Sequence, residues 1–212
     1  MDSNTSLSTF KTPSARWTAI ATGASQKTRI IRQFFTHPQS IGAIAPSSQT
    51  LATEMANAAI HYGAPDALVI EAGAGSGAIT ETLVKALPDN ARFLACENNA
   101  QLADALAHRM PAIELRRNKI QHLPEWTSAN NKTIVSSLPF RSLPANDVRE
   151  IIRCFHGELC RHQDSILVQF SYGLRNPIPE LAEDDNIACF HHNTVFRNLP
   201  PAKIWIYRRQ AA

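Results

Sequence analysis

Three glycines at alternate positions, Gly73, Gly75 and Gly77, follow the acid Glu71 in the stretch VIEAGAGSGAIT, residues 69–80. Glycine tolerates positive φ and lets a ligand approach the main chain with no Cβ in the way. A strand that runs into G-x-G-x-G and then a helix is therefore an arrangement for a nucleotide or a phosphate. Residues 73–78 also satisfy the loose dinucleotide fingerprint GxGxxA, which does not by itself distinguish one nucleotide cofactor from another. Glu97 stands 24 residues after Gly73, at the end of the next apolar run, where an acid can accept both hydroxyls of a ribose. Burying Glu71 without a partner would be costly, so it requires a bound group or neighbouring backbone amides.

Strands that position these residues are expected at Ala67–Glu71, Arg92–Cys96, Ala112–Leu115, Thr133–Ser136 and Ser165–Phe170. Helical periodicity is expected at Ala78–Ala86, Ala100–His108 and Asn146–Leu159, and at Ser48–Ile60 with Ser47 or Ser48 as its cap. The alternation predicts an α/β domain, a parallel sheet covered by helices on both faces. The closing stretch IACFHHNTVFRNLPPAKIWIYRR reads as two strands joined at Pro200-Pro201, an antiparallel hairpin. His191 and His192 are adjacent in that hairpin and point to opposite faces, which argues against a shared metal.

The chain has 212 residues, 44% of them hydrophobic and 18% charged, enough for one domain with a sizeable core. No apolar run approaches the roughly 20 residues needed to cross a bilayer, and the first residues are not expected to act as a signal peptide. Cys96, Cys154, Cys160 and Cys189 are scattered, as in reduced cytosolic proteins. The net charge of +3 is unevenly distributed: residues 1–37 carry five Lys or Arg against Asp2 alone. Within that arm Trp17, Ile20, Ala24, Ile31, Phe34 and Phe35 share one face of a helical wheel. The expected organisation is a basic tail and amphipathic helix over 1–37, which seeks anionic phosphate, and a catalytic domain over 38–212.

IEAGAGSGAIT followed by FLACE resembles motifs I and II of the class I S-adenosylmethionine-dependent methyltransferases. FFTHPQSIGAIAPSS, IVSSLPFRSLP, VQFSYG and FRNLPPAKIWIYRR narrow the resemblance to the small soluble bacterial phospholipid N-methyltransferases, over roughly residues 30–209. The resemblance implies a Rossmann-like fold with a seven-stranded, mostly parallel sheet. It implies S-adenosylmethionine as cofactor, phosphatidylethanolamine as substrate, and no metal. Glu71, Gly73, Gly75 and Gly77 would bind the methionine end and Glu97, with Asn98 beside it, the ribose. Ser137, Leu138, Pro139 and Phe140 would form the wall beside the methyl group, and Asn118 or a backbone group would take the place of the acid that contacts the adenine. The implied location is cytoplasmic, at the inner face of the membrane.

Two positions depart from related patterns. The RNA adenine dimethylases carry Asn where this chain has Ser137, which argues against a nucleic-acid substrate. The wider superfamily places an acid after the third strand, where this chain has Asn118 and Lys119; a lysine cannot accept a hydrogen bond from adenine. Phe140 and Tyr172 are candidate cation–π contacts for a methylated headgroup, Arg141 and Arg175 candidate phosphate partners, and His37 a candidate proton acceptor. Competing readings are an RNA adenine N6-methyltransferase, a cofactor-binding protein without turnover, a nicotinamide-dependent oxidoreductase, and methylation of another amine lipid such as an ornithine lipid.

Overall fold

The computed structural model describes residues 46–172, 175–198 and 200–210. The proposed N-terminal helix, His37 and the whole of the 1–37 division lie outside these residues. In chain order the elements are α1 (Pro46–Tyr62), β1 (Leu68–Ala72), α2 (Ala78–Ala86), β2 (Phe93–Cys96), α3 (Ala100–Arg109) and β3 (Glu114–Arg116). There follow a 3-10 turn (Ile120–His122), α4 (Leu123–Trp126), β4 (Lys132–Ser136), α5 (Ala145–Arg161) and β5 (Ile166–Tyr172). Last come α6 (Pro179–Ala182), β6 (Ile187–Val195) and β7 (Ala202–Arg209).

The seven strands form one sheet in the order β3-β2-β1-β4-β5-β7-β6. The first five are parallel, and β7 runs antiparallel between β5 and β6. Every residue of β1 and β4 is buried, as central strands covered on both faces must be. Alternate side chains supply the two cores. Ile70, Ile134, Leu167 and Tyr207 pack under Ile151, Phe155 and Leu159 of α5. Val69, Val135, Val168 and Ile204 pack on the opposite face, under Met55, Ala56 and Ala59 of α1 and Leu83 of α2. Residues 151, 155, 158 and 159 recur at helical spacing, which turns one stripe of α5 onto the sheet.

Helix α1 begins at Pro46 and ends at Tyr62, two residues beyond each expected end. The third strand starts later than expected because residues 110–113 close a turn, with the Ile113 amide donating to the Met110 carbonyl at 3.3 Å. The hairpin carries an irregularity between His191 and Asn193. His191 stacks edge-on against Trp205 with centroids 5.6 Å apart, and His192 contacts the Tyr62 hydroxyl at 3.2 Å, so the two imidazoles serve separate neighbours. No helix among the described residues is long and apolar enough to cross a membrane.

Candidate functional site

The loop after β1 is held by its neighbours before any ligand is considered. Gly73, Gly75 and Gly77 all have positive φ, +80°, +54° and +82°. The amides of Gly73 and Ala74 both donate to the Cys96 carbonyl, at 2.9 and 3.0 Å, which binds the loop to the end of β2. From the other side Ser137 donates its hydroxyl to the Gly73 carbonyl at 2.5 Å. A Cβ on Gly73 would lie 2.8 Å from Leu138 Cδ2, so the close approach of the β1 and β4 ends requires glycine there. These loops border a cavity of about 480 Å3, within the usual range for small-ligand sites.

Glu71 lies behind the loop, 1% exposed. Thr80 of α2 donates to its Oε2 at 2.6 Å, while Oε1 has no hydrogen-bond partner among the described residues. Burial pushes its pKa up to about 8, and the nearby Glu97 charge adds to the rise against the Thr80 hydrogen bond. The folded chain therefore holds a proton there that the unfolded chain releases above the ordinary value of 4.5. Stability must fall as pH rises from about 4.5 to about 8 and level off above that. Without ligand, the melting temperature relative to Glu71→Gln is expected to fall between pH 5 and pH 8, by about 2–4 °C for each kcal/mol of stability lost. Parallel pH curves for the two proteins in a thermal melt would show that Glu71 does not titrate in this window.

Glu97 ends the second arm of the crevice and holds two amides. Its Oε2 accepts from the Gly75 amide at 2.7 Å and its Oε1 from the Asn99 amide at 2.7 Å. Asn99 in turn caps α3, its side chain accepting from the amides of Gln101 and Leu102. The carboxylate thus joins the glycine loop to the first turn of α3, and it remains on the cavity wall beside Asn98.

Opposite, Asn118 and Lys119 line the cavity with Asp147 from the first turn of α5. The Asn118 side chain accepts from the Lys119 amide at 2.8 Å, and the Asn118 backbone carbonyl accepts from the Cys96 thiol at 3.1 Å. Lys119 Nζ pairs with Asp147 Oδ1 at 3.0 Å, and this contact raises the lysine's pKa. An acid is therefore present at this wall, supplied by a helix rather than by the strand end where the sequence lacks it.

The cavity brings together Gly73, Gly75, Glu97, Asn98, Asn118, Ser137, Leu138 and Pro139. Of the other expected residues, Glu71 lies behind the loop, Arg141 and Arg175 do not line the cavity, and three more sit elsewhere. Gly77 precedes α2 outside the cavity lining, at φ +82°; a Cβ there would also strike the side-chain ends of Arg109 and, at 2.6 Å, Leu106 of α3, so its glycine serves the left-handed turn and helix packing. Phe140 is 8% exposed, edge-on to Phe155 at 6.4 Å. Tight turns at residues 138–142 bend the chain back and carry that ring into the core instead of to a substrate. Tyr172 lies at the end of β5, packed edge-on to Phe170 at 5.4 Å, and does not line the cavity. Asn99, Leu102, Gln121, Asp147 and Ile151 were not singled out in the sequence. Asn99 was readable as a helix cap before Ala100; nothing local marks the others. Among the described residues no group of three His, Cys, Asp or Glu could hold a metal.

Comparison with solved structures bears on this geometry. The chain is 14% identical to 1,6-didemethyltoxoflavin-N1-methyltransferase from Burkholderia thailandensis, a structure with bound S-adenosylhomocysteine. The match covers 96% of this chain and 94% of that one, with a TM-score of 0.59. An O-methyltransferase from Bacillus cereus, in complex with S-adenosylhomocysteine, matches at 12% identity over 89% and 91% of the two chains, with a TM-score of 0.57. This chain has the methyltransferase fold. TrmN from Thermus thermophilus also matches, at 16% identity and a TM-score of 0.57 over 76% of this chain. There the chain spans only about half of its counterpart, 49%. No protein-family model and no curated protein matches the chain. In the methyltransferase fold seen here the strand order reverses between β1 and β4, where crossovers leave to opposite sides. The cavity opens at the carboxyl ends of those strands, the position at which open α/β sheets bind ligands.

Proposed function

We propose that this chain transfers methyl groups from S-adenosylmethionine to the headgroup amine of a phospholipid such as phosphatidylethanolamine, towards phosphatidylcholine, at the inner face of the cytoplasmic membrane. The cofactor reading is supported by the donor set of the cavity. Glu97 offers a carboxylate to ribose hydroxyls, and buried Glu71 carries an oxygen without a hydrogen-bond partner among the described residues. An ammonium group near Glu71 would supply the missing interaction and favour its ionised form. Asp147, held by Lys119, offers the acceptor for an adenine amine that Lys119 itself cannot provide.

The observation that carries the lipid reading is at Ser137. Its hydroxyl is engaged with the Gly73 carbonyl, and the position presents no side-chain amide to grip a nucleobase. The cofactor supplies an electrophilic methyl on a sulfonium sulfur. The chain must then hold a neutral amine in line with it and exclude water; such positioning accounts for most of what this displacement requires. The wall formed by Leu138, Pro139, Leu143 and Ile151 suits a dry crevice.

The test offers phosphatidylethanolamine vesicles and ribosomal RNA, in parallel, to the purified protein with methyl-labelled S-adenosylmethionine. Label in the lipid phase, lost on Glu71→Ala, is the expected result, and chromatography of the lipid then counts the methyls. Label in RNA would overturn the lipid reading, and binding of NAD in place of S-adenosylmethionine would overturn the methyltransferase reading.

A further inference from the structure

The tip of the β6–β7 hairpin is built to expose a phenylalanine. Phe196 is 79% exposed, against 43% for Ile60 and for Val84, the other exposed large apolar residues among those described. The turn that carries it is anchored on either side. Val195 and Asn198 are each 4% exposed, the Asn198 amide donates to the Val195 carbonyl at 3.3 Å, and the Asn198 side chain donates to the Pro200 carbonyl at 2.7 Å. Both residues preceding and following Phe196-Arg197 are thus fixed inward, and the pair between them is held out to solvent.

The register places this tip. Tyr172, the last residue of β5, pairs with Ala202, and Val195 pairs with the same residue from β6. The tip therefore stands at the carboxyl edge of the parallel strands, on the edge where the cavity opens. Strands in a sheet are about 4.8 Å apart, which puts the hairpin roughly 10–15 Å along that edge from the end of β4. From the end of β4 to the hairpin, three connections carry charge of one sign. The connections 137–144, 173–178 and 196–201 contain Arg141, Arg175 and Arg197 and no Asp or Glu. All three arginines are exposed, and Lys203 at the start of β7 adds a fourth, half-buried cation.

We infer that this edge is a membrane-docking face: Phe196 enters the headgroup layer of an anionic bilayer while Arg141, Arg175 and Arg197 meet lipid phosphates. An apolar ring projecting beyond a ring of cations matches an interface that is apolar below and anionic above. RNA phosphates would engage the arginines equally; the exposed apolar ring of Phe196 beside Arg197 favours a bilayer, whose interface takes up apolar side chains. The inference rests on the lipid reading for its substrate, and it adds which face of the domain meets the bilayer. Docking by this edge would bring lipid headgroups to the cavity mouth without removing the lipid from its leaflet.

The test is sedimentation of the full chain with sucrose-loaded vesicles of phosphatidylglycerol and phosphatidylethanolamine, at moderate salt and without cofactor. Phe196→Ser and Arg197→Glu are each expected to lower the partition coefficient about fivefold or more. Val84→Ser, which removes an exposed apolar residue from α2 on another part of the surface, is expected to leave it unchanged. Partitioning of Phe196→Ser equal to that of the parent, or of all variants lowered alike, would overturn the inference. So would failure of the parent to bind vesicles, or its Arg197-dependent binding to ribosomal RNA alone. Turnover on a short-chain phosphatidylethanolamine dissolved as monomers separates this inference from the reaction. Phe196→Ser should retain that turnover while losing vesicle binding. If no variant turns over but vesicle binding still depends on Phe196, the reaction reading fails and the docking face stands.

Discussion

Replacing Glu97 by alanine is expected to weaken S-adenosylmethionine binding about a hundredfold or more while leaving the chain folded. The carboxylate holds the Gly75 and Asn99 amides at 2.7 Å each, so its loss frees the glycine loop from the first turn of α3 as well as removing the proposed ribose acceptor. Hydrogen bonds to a charged group contribute about 1.5–3 kcal/mol each, and every 1.4 kcal/mol is about tenfold in affinity. Isothermal titration calorimetry with S-adenosylmethionine and S-adenosylhomocysteine reads the effect directly. Glu97→Gln should fall between the two proteins, because an amide oxygen can still accept from one amide but brings no charge. Affinity unchanged in Glu97→Ala would remove the residue from the binding machinery and, with it, the reason for assigning a ribose to this wall. Titration with NAD is the matching control, since an acid after the second strand also suits a nicotinamide cofactor.

The strands and helices that carry this site were legible because their signals are local. Apolar runs fixed β1, β2, β4 and β5 to within two residues, and the expected helix over Ala78–Ala86 coincides with α2. The glycine loop was legible for the same reason: three positive φ angles in five residues leave glycine as the low-strain choice. What was not legible depends on neighbours remote in sequence. Asp147 reaches Lys119 across 28 positions, so its place on the wall follows from how α5 lies on the sheet. Phe140 looked like a strand-end aromatic facing substrate, yet the turn after Pro139 and a ring at position 155 take it into the core. Gly77 shares the pattern of Gly73 but answers to Leu106 of α3, a contact that no spacing within the loop could reveal. The insertion of β7 between β5 and β6 is likewise a pairing preference with no mark in either strand alone.

The same limit hid the largest stability effect expected in the molecule. Lys132 opens β4 at 2% side-chain exposure, with its Nζ 2.6 Å from Oε2 of Glu158, itself 1% exposed on α5. The expected strand begins one residue later, at Thr133, and leaves Lys132 outside it. The ammonium also donates to the Ala129 carbonyl at 2.7 Å, and Glu158 Oε1 meets Arg161 at 3.3 Å, so both charges have further partners. Glu158→Ala leaves an ammonium buried in the core with its counter-ion removed, and should destabilise the fold by about 3–5 kcal/mol. Urea denaturation followed by circular dichroism measures this as a lower midpoint at an unchanged slope. The double replacement Lys132→Met with Glu158→Leu should recover most of the loss, because desolvating the two charges offsets much of their attraction. Recovery would mean that the pair fixes how α5 sits on β4 more than it adds net stability. That seating matters for the site, since α5 delivers Asp147 to the cavity at its first turn. A double variant as unstable as Glu158→Ala would instead show that the ion pair itself is a main source of the domain's stability.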